Sequence, residues 1–317
     1  MIGLMRSRTW RRAHLAADLR RSCAAVRFGG AIALGTWLLS TAGCAASGEE
    51  AARLSRGCGE PPPREAPASV VVDDRQRDLI TAVPAPYDAS KPHDLIVAFH
   101  GLTNSNADVR RYYSLERHAQ RPTVFVYPSG LPAGDGRRSW SDPGDPASAL
   151  RDYALFDAIV ARIEGAYCID RRRVFAVGHS LGAWFVNSLG CARGASLRGT
   201  GTVGGGISPS ECTGPLAAAV LHNPNDRLVD FAHSVEVRDL LLRRNGLAEP
   251  GQPEPGAEDL NCVRYGGPNH RNPVLWCPHT HDRTGAGRYY PHQWPAESGS
   301  LIMGFFDGLQ AVVARPE

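Results

Sequence analysis

From Ser69 onward the chain alternates between two hydrophobic patterns. Short apolar runs rich in β-branched and aromatic residues predict strands at 70–72, 77–83, 94–99, 123–127, 173–177, 201–206, 217–222 and 273–276. Longer segments with helical spacing predict helices over 106–119, 149–166, 181–191, 232–244 and 298–314. The strand runs are continuously apolar rather than alternating, which implies burial on both faces. Strand and helix in turn then give the α/β class, a mostly parallel sheet covered by helices on both sides. The segment 246–272, rich in Pro, Gly and Asn, predicts a long loop. Residues 44–68, rich in Ala, Glu, Pro and Gly, predict a flexible tether ahead of one domain over 69–317.

The first 43 residues differ from the rest. Arg6, Arg8, Arg11, Arg12, Arg20, Arg21 and Arg27 precede the apolar run Gly29–Gly43, which ends in small residues. This predicts a secretory signal peptide over 1–43, too short to span a membrane, with translation beginning at Val26 as one reading of its length. Thr41-Ala42-Gly43-Cys44 resembles a bacterial lipobox, so Cys44 is expected to carry lipid and anchor the chain to a cell envelope; ordinary cleavage near Ala45 and secretion is the other reading. The net charge of +3 belongs to this leader: without its seven Arg and Asp18, 28 basic and 31 acidic residues remain. Such a balance argues against nucleic acid as a partner. Lys91 is the one lysine among 35 basic residues, a compositional bias toward Arg.

Beyond Cys23 and Cys44, six cysteines remain, an even number that fits an exported disulfide-bonded protein. Fifteen connectivities are possible. The expected set joins Cys58 to Cys168, Cys191 to Cys212 and Cys262 to Cys277. Cys277, His279 and His281 also stand close enough to suggest zinc, but disulfides account for the cysteines and no CxxC pair exists, so no metal and no cofactor is expected.

Gly178-His179-Ser180-Leu181-Gly182 is a G-x-S-x-G between a predicted strand and a predicted helix. That context is a nucleophile elbow, a sharp turn that projects the Ser hydroxyl above the sheet. His100-Gly101-Leu102-Thr103-Asn104 follows an earlier strand, where such proteins place a loop donating a backbone N–H to an oxyanion. The backbones of Leu102 and Leu181 are therefore the expected oxyanion donors. An acid and a base must follow Ser180 in chain order. Asp226, at the end of strand 217–222, is the expected acid, with Asp230 as the alternative. His292 is the expected base, with His281 as the alternative; His179 adjoins the nucleophile and is expected to point away from it. Trp140, Trp294 and His100 are candidates to line the substrate pocket; Trp184, on the helix after the elbow, reads more readily as core.

Taken in order, these residues resemble the polyhydroxybutyrate depolymerase/feruloyl esterase family. The resemblance runs through Gly57-Cys58-Gly59, Pro86-Tyr87-Asp88, His100-Gly101 with Asn104, Tyr127-Pro128-Ser129-Gly130, Trp140, Tyr167-Cys168-Ile169-Asp170, the elbow, Cys212, Asp226 with Val229, and His292 with Trp294-Pro295. It spans about 57–305. It implies an α/β-hydrolase fold and a serine carboxylesterase acting without cofactor on an ester substrate, a hydroxyalkanoate oligomer or a polysaccharide-linked acyl group, as a monomer. The chain departs from the family pattern at Asn223 and Pro291, where Gly is usual, and at Leu247, where Cys often follows Asn-Gly. An acyltransferase with the same triad and an inactive surface-binding protein are the other readings left open.

Overall fold

The structure, a computed structural model, describes residues 53–132, 136–145, 148, 150–208 and 211–310. The leader and Cys44 lie outside the described residues. Ten strands form one sheet: β1 (Ser69–Val72), β2 (Arg75–Ala82), β3 (His93–Phe99), β4 (Thr123–Pro128), β5 (Ile169–His179), β6 (Gly199–Val203), β7 (Ala217–Leu221), β8 (Gln252–Pro253), β9 (Val263–Tyr265) and β10 (Val274–Cys277). Their order is β1-β2-β4-β3-β5-β6-β7-β10-β9-β8. The six central strands, from β4 to β10, are parallel, and the outer strands pair antiparallel.

β3 shows why the central runs carry no alternation. Leu95, Val97 and Phe99 point into a core with α2 (Arg151–Ala166) and α3 (Leu181–Ala192). Ile96 and Ala98 point into a second core with α1 (Asn106–Tyr113) and α5 (Ser298–Gly308). Both faces are buried, so every position from Leu95 to Phe99 is apolar. A further helix, α4 (Phe231–Asn245), covers Ala218, Val220 and Trp276. The strand order reverses about β3: β4 is added on one side of it and β5 on the other. The crevice at the carboxyl ends of β3 and β5 is the switch point at which doubly wound sheets bind ligands.

Several expectations need correction. Residues 53–68 are not a flexible tether. Leu54 bridges Asp170, the Ser55 hydroxyl donates to the Tyr167 carbonyl at 2.7 Å, and Cys58 is disulfide-bonded to Cys168. The domain therefore starts no later than Arg53; closing a loop of 110 residues removes about 4–5 kcal/mol of unfolded-chain entropy on a chain-entropy account. The other disulfides join Cys191 to Cys212 and Cys262 to Cys277, the expected set. The helix expected over 106–119 breaks at Ser114, whose φ of 55° is left-handed, and continues as a separate 3-10 turn. The loop expected over 246–272 contains β8 and β9, which extend the sheet edge. The strand expected over 201–206 is instead 199–203, because Gly204 turns the chain with φ +63°.

Candidate active site

Ser180 stands between β5 and α3 with φ 58° and ψ −124°. That is a left-handed, strained conformation for a residue with a Cβ, costing on the order of 1–3 kcal/mol. Its neighbours permit it. A Cβ on Gly178 would overlap the Gly182 carbonyl, and one on Gly182 would overlap the Phe99 carbonyl. The two glycines of the motif thus let helix, elbow and β3 meet backbone to backbone.

Three chain-distant side chains converge at the carboxyl ends of the strands. Ser180 Oγ lies 2.8 Å from His292 Nε2, and His292 Nδ1 lies 2.5 Å from Asp226 Oδ2. A carboxylate only accepts, so Nδ1 carries the proton and Nε2 presents a lone pair to the Ser180 hydroxyl. The floor beneath them is Gly204: a Cβ there would lie 3.3 Å from the His292 ring and 3.6 Å from Asp226 Oδ2. Asp226 accepts four hydrogen bonds. Leu228 N (2.8 Å) and Val229 N (3.1 Å) donate to Oδ1, and His292 Nδ1 and His222 Nε2 (3.0 Å) donate to Oδ2. Burial alone would raise its pKa, but the two imidazole hydrogen bonds and the backbone donors outweigh burial and hold the carboxyl well below the usual range.

The loop after β3 comes beside this chain. A Cβ on Gly101 would sit 3.3 Å from Ser180 Cβ, and Leu102 follows directly. Leu181 opens α3, so its N–H is one of the unpaired donors of a helix N-terminus. His100 is not a pocket residue. It is fully buried, its Nδ1 donates to the Gly101 carbonyl at 2.7 Å, and its Nε2 accepts from Gly130 N at 2.9 Å. Trp140 is also buried and donates from Nε1 to the His100 carbonyl at 2.7 Å. Both hold the loop that ends in Leu102. Trp294 stacks on Tyr113 at 3.9 Å and is buried too. Trp184, read as core, is instead half-exposed one helical turn from the nucleophile, held by a 2.8 Å bond to the Ser208 hydroxyl.

The alternatives separate cleanly. Asp230 caps α4 by accepting from Ala232 N, and His281 pairs with the Asp259 carbonyl. Cys277 is taken up by its disulfide, and among the described residues no cluster of three or more His, Cys, Asp or Glu could hold a metal ion. His222 had no distinctive setting in the sequence, yet it is buried against Asp226, with Nδ1 2.6 Å from Ser234 Oγ. Asn223, in place of the usual glycine, donates to Asp282 at 2.9 Å and so ties the acid loop to the loop leading to His292.

Two further imidazoles are buried neutral. Burial, and then the neighbouring charge of His292, brings His179 down to about 3. Burial, and then repulsion from His281 and His222, does the same to His279. In the unfolded chain both titrate near the ordinary value of about 6.5. Between that value and about 3 the unfolded chain binds more protons, so stability is full above about pH 6.5 and falls as the pH drops. The expected result is a Tm at pH 4.5 at least about 5 °C below that at pH 7, with the slope reduced in His279→Leu. An unchanged Tm across this range would exclude neutral burial.

No protein-family model matches the chain. Among solved structures it is similar in fold to a thermostable esterase (TM-score 0.53, 14% identity, 75% of this chain and 58% of that one). It is likewise similar to the acetyl xylan esterase from Aspergillus awamori (TM-score 0.51, 14% identity, 72% and 94%). In sequence it is 33% identical over 214 residues to a probable feruloyl esterase C of Aspergillus terreus, covering 64% of this chain and 74% of the relative. It is 30% identical over 228 residues to feruloyl esterase C of Emericella nidulans, covering 68% and 79%. With its α/β-hydrolase fold, elbow and sequence kinship, the chain belongs to the feruloyl esterase family and is a carboxylic ester hydrolase.

Proposed function

We propose that the protein hydrolyses hydroxycinnamoyl esters of the feruloyl type by a Ser180–His292–Asp226 triad. The observation that carries this reading is the unbroken hydrogen-bond chain from the Ser180 hydroxyl through His292 to Asp226. Ser180 Oγ attacks the ester carbonyl and its proton passes to His292 Nε2. The Leu102 and Leu181 N–H groups hold the tetrahedral oxyanion, a contribution of roughly 3 kcal/mol per donor. Collapse expels the alcohol with the proton from His292. Water, deprotonated by His292, then releases the acid and restores Ser180. The three disulfides fit a protein that matures in an oxidising compartment.

The acyl specificity is assigned to apolar side chains on the rim. Leu228, two residues after the acid, is 68% exposed, and Tyr289, three residues before the base, is 45% exposed. Their exposure, together with their closeness in sequence to the acid and the base, is what supports assigning them to an apolar ligand. Kinetics on methyl ferulate, acetylated xylan and hydroxybutyrate oligomers test the assignment. Methyl ferulate is expected to give the highest kcat/KM. Leu228→Ser with Tyr289→Ser is expected to lower it about 10-fold through KM, by loss of about 1–2 kcal/mol of apolar contact, while changing acetate release less than about 3-fold. Preference for hydroxybutyrate oligomers, or equal losses on all esters, would defeat the feruloyl reading.

A further inference from the structure

We propose that the end of the sheet opposite Ser180 carries a second site, a groove that binds an acidic polysaccharide through its carboxylates, with Arg244 and Arg271 as the gripping residues and the buried Arg198 adding its charge behind them. Two adjoining cavities of ≈ 730 Å³ and ≈ 230 Å³ share Arg198, His270 and Arg271 as walls. Their lining comes from the start of β5, from the segments that enter β6, β7 and β10, at the amino ends of the parallel strands, and from Arg264 and the carboxyl ends of α4 and α5. Ser180 is eight residues further along β5 than Arg172, so the groove lies roughly 26 Å from the nucleophile.

The lining contains no Asp or Glu. Arg171 and Arg172 at its rim have carboxylate partners in Glu164 and Asp170, and Arg264 has Glu254. Among the described residues no carboxylate pairs with the other three. Arg244 donates only to the neutral Gly214 carbonyl, from Nε and Nη2. Arg198 is 4% exposed; Nε donates to the Gln310 carbonyl and Nη2 to the Arg271 carbonyl, and Nη1 is buried without a partner. Two backbone bonds therefore fix the guanidinium in the wall of the groove, where its third nitrogen is buried without a partner. An unmet buried donor is costly, and a charged one more so. Burial, and then the nearby Arg173 and Arg271, lowers Arg198 only to about 10, so it stays charged at neutral pH. Arg198 thus lends the groove a fixed positive charge, while the partly buried Arg244 and the exposed Arg271 offer guanidiniums of the kind that bind carboxylates.

The walls also select the class of polyanion. Among the described residues no Phe, Tyr or Trp lines either cavity, so the platform on which single-stranded bases stack is limited to the His270 ring. Among the described residues, the large exposed apolar side chains are Val71, Leu150, Leu228 and Tyr289, and none of them lines the groove to enter a bilayer. The choice of a polysaccharide rests on the reading of the protein as an esterase of polymer-linked acyl groups. The groove would then retain the enzyme on uronate-bearing chains while Ser180 works at the far end of the sheet.

Binding is measured by calorimetry with a ten-residue oligogalacturonate and, as the neutral control, a xylo-oligosaccharide of similar length. Wild type and Ser180→Ala are expected to bind the oligogalacturonate alike, so the result stands apart from the ester reading. Affinity is expected to fall at least about 10-fold between 50 and 300 mM NaCl. Arg244→Gln with Arg271→Gln is expected to weaken it about 10-fold or more, with methyl ferulate hydrolysis within about 2-fold and Tm unchanged. Arg198→Gln should act in the same direction, and the double variant keeps the test valid if that protein does not fold. The proposal is overturned if wild type does not bind, if the neutral oligosaccharide binds equally, or if the double variant binds as wild type does. Tighter binding of single-stranded DNA or of phosphatidylglycerol vesicles would overturn it too. Binding that appears only after deletion of residues 311–317 would assign the groove to the chain's own carboxyl terminus instead.

Discussion

Ser180→Ala is expected to lower kcat/KM for methyl ferulate by about 10⁴–10⁶-fold while leaving the fold intact. The loss follows from the single hydroxyl that faces His292 Nε2 at 2.8 Å. Without it no acyl-enzyme forms, and the residual rate comes from the oxyanion donors and substrate positioning alone. Stability should change little. Alanine keeps the left-handed strain at φ 58°, and Ser180 makes no side-chain cap to its own helix. Thermal melts of the two proteins should agree within about 3 °C, because neither core cluster contains residue 180. Retention of more than about 1% of the wild-type rate would remove Ser180 from the nucleophile role. A large fall in Tm would instead mean that the rate loss reports unfolding.

How legible the site was depends on how local each signal is. The elbow is local: strand, Gly178, Ser180, Gly182 and helix are contiguous, and close backbone packing explains both glycines. The proposed acid was picked out by chain order and its strand-end loop, and the proposed base by chain order and its place ahead of the last helix. His222 was not, because what distinguishes it is its contact with Ser234, on a helix that begins only at Phe231. The tryptophans were misassigned for a related reason. Composition indicates that an indole seeks apolar surroundings, but not which side of a loop it occupies. Trp140 sits beneath the loop, hydrogen-bonded to the His100 carbonyl, while Trp184 comes to the surface. The run Gly204-Gly205-Gly206 reads as strand from its apolar approach through Val203. The folded contacts show why side chains are disfavoured there: Gly204 has a positive φ close under the triad, and a Cβ on Gly205 or Gly206 would run into Ala183 or Trp184. Residues 53–68 looked like a tether by composition, and the Cys58–Cys168 disulfide with the Ser55 contacts overrides that tendency.

Asp226→Asn is expected to lower kcat by about 10⁴-fold, and its four donors explain why the amide cannot substitute. An asparagine offers one acceptor oxygen and one donor NH₂ where the carboxylate offers two acceptors. With its NH₂ toward the imidazoles, His292 must accept at Nδ1. Its proton then sits on Nε2 facing Ser180, the tautomer that cannot take the serine proton. With its oxygen toward the imidazoles, the NH₂ confronts the Leu228 and Val229 N–H groups, which donate to Oδ1 in the native protein. Two part-buried donors then lose their acceptor, at about 1 kcal/mol each. Either orientation damages the site, and the first removes the base outright. His222→Leu probes the same carboxylate from its other side. It leaves His292 bonded but removes one of the two donors on Oδ2, so kcat should fall about 10–100-fold with KM nearly unchanged. A structural role alone would lower Tm without this split between kcat and KM. Asp230→Asn, at the exposed cap of α4, should stay within about 2-fold of wild type. If Asp226→Asn retains more than about a tenth of the wild-type kcat, or if Asp230→Asn loses more than Asp226→Asn, the orienting carboxylate is not Asp226.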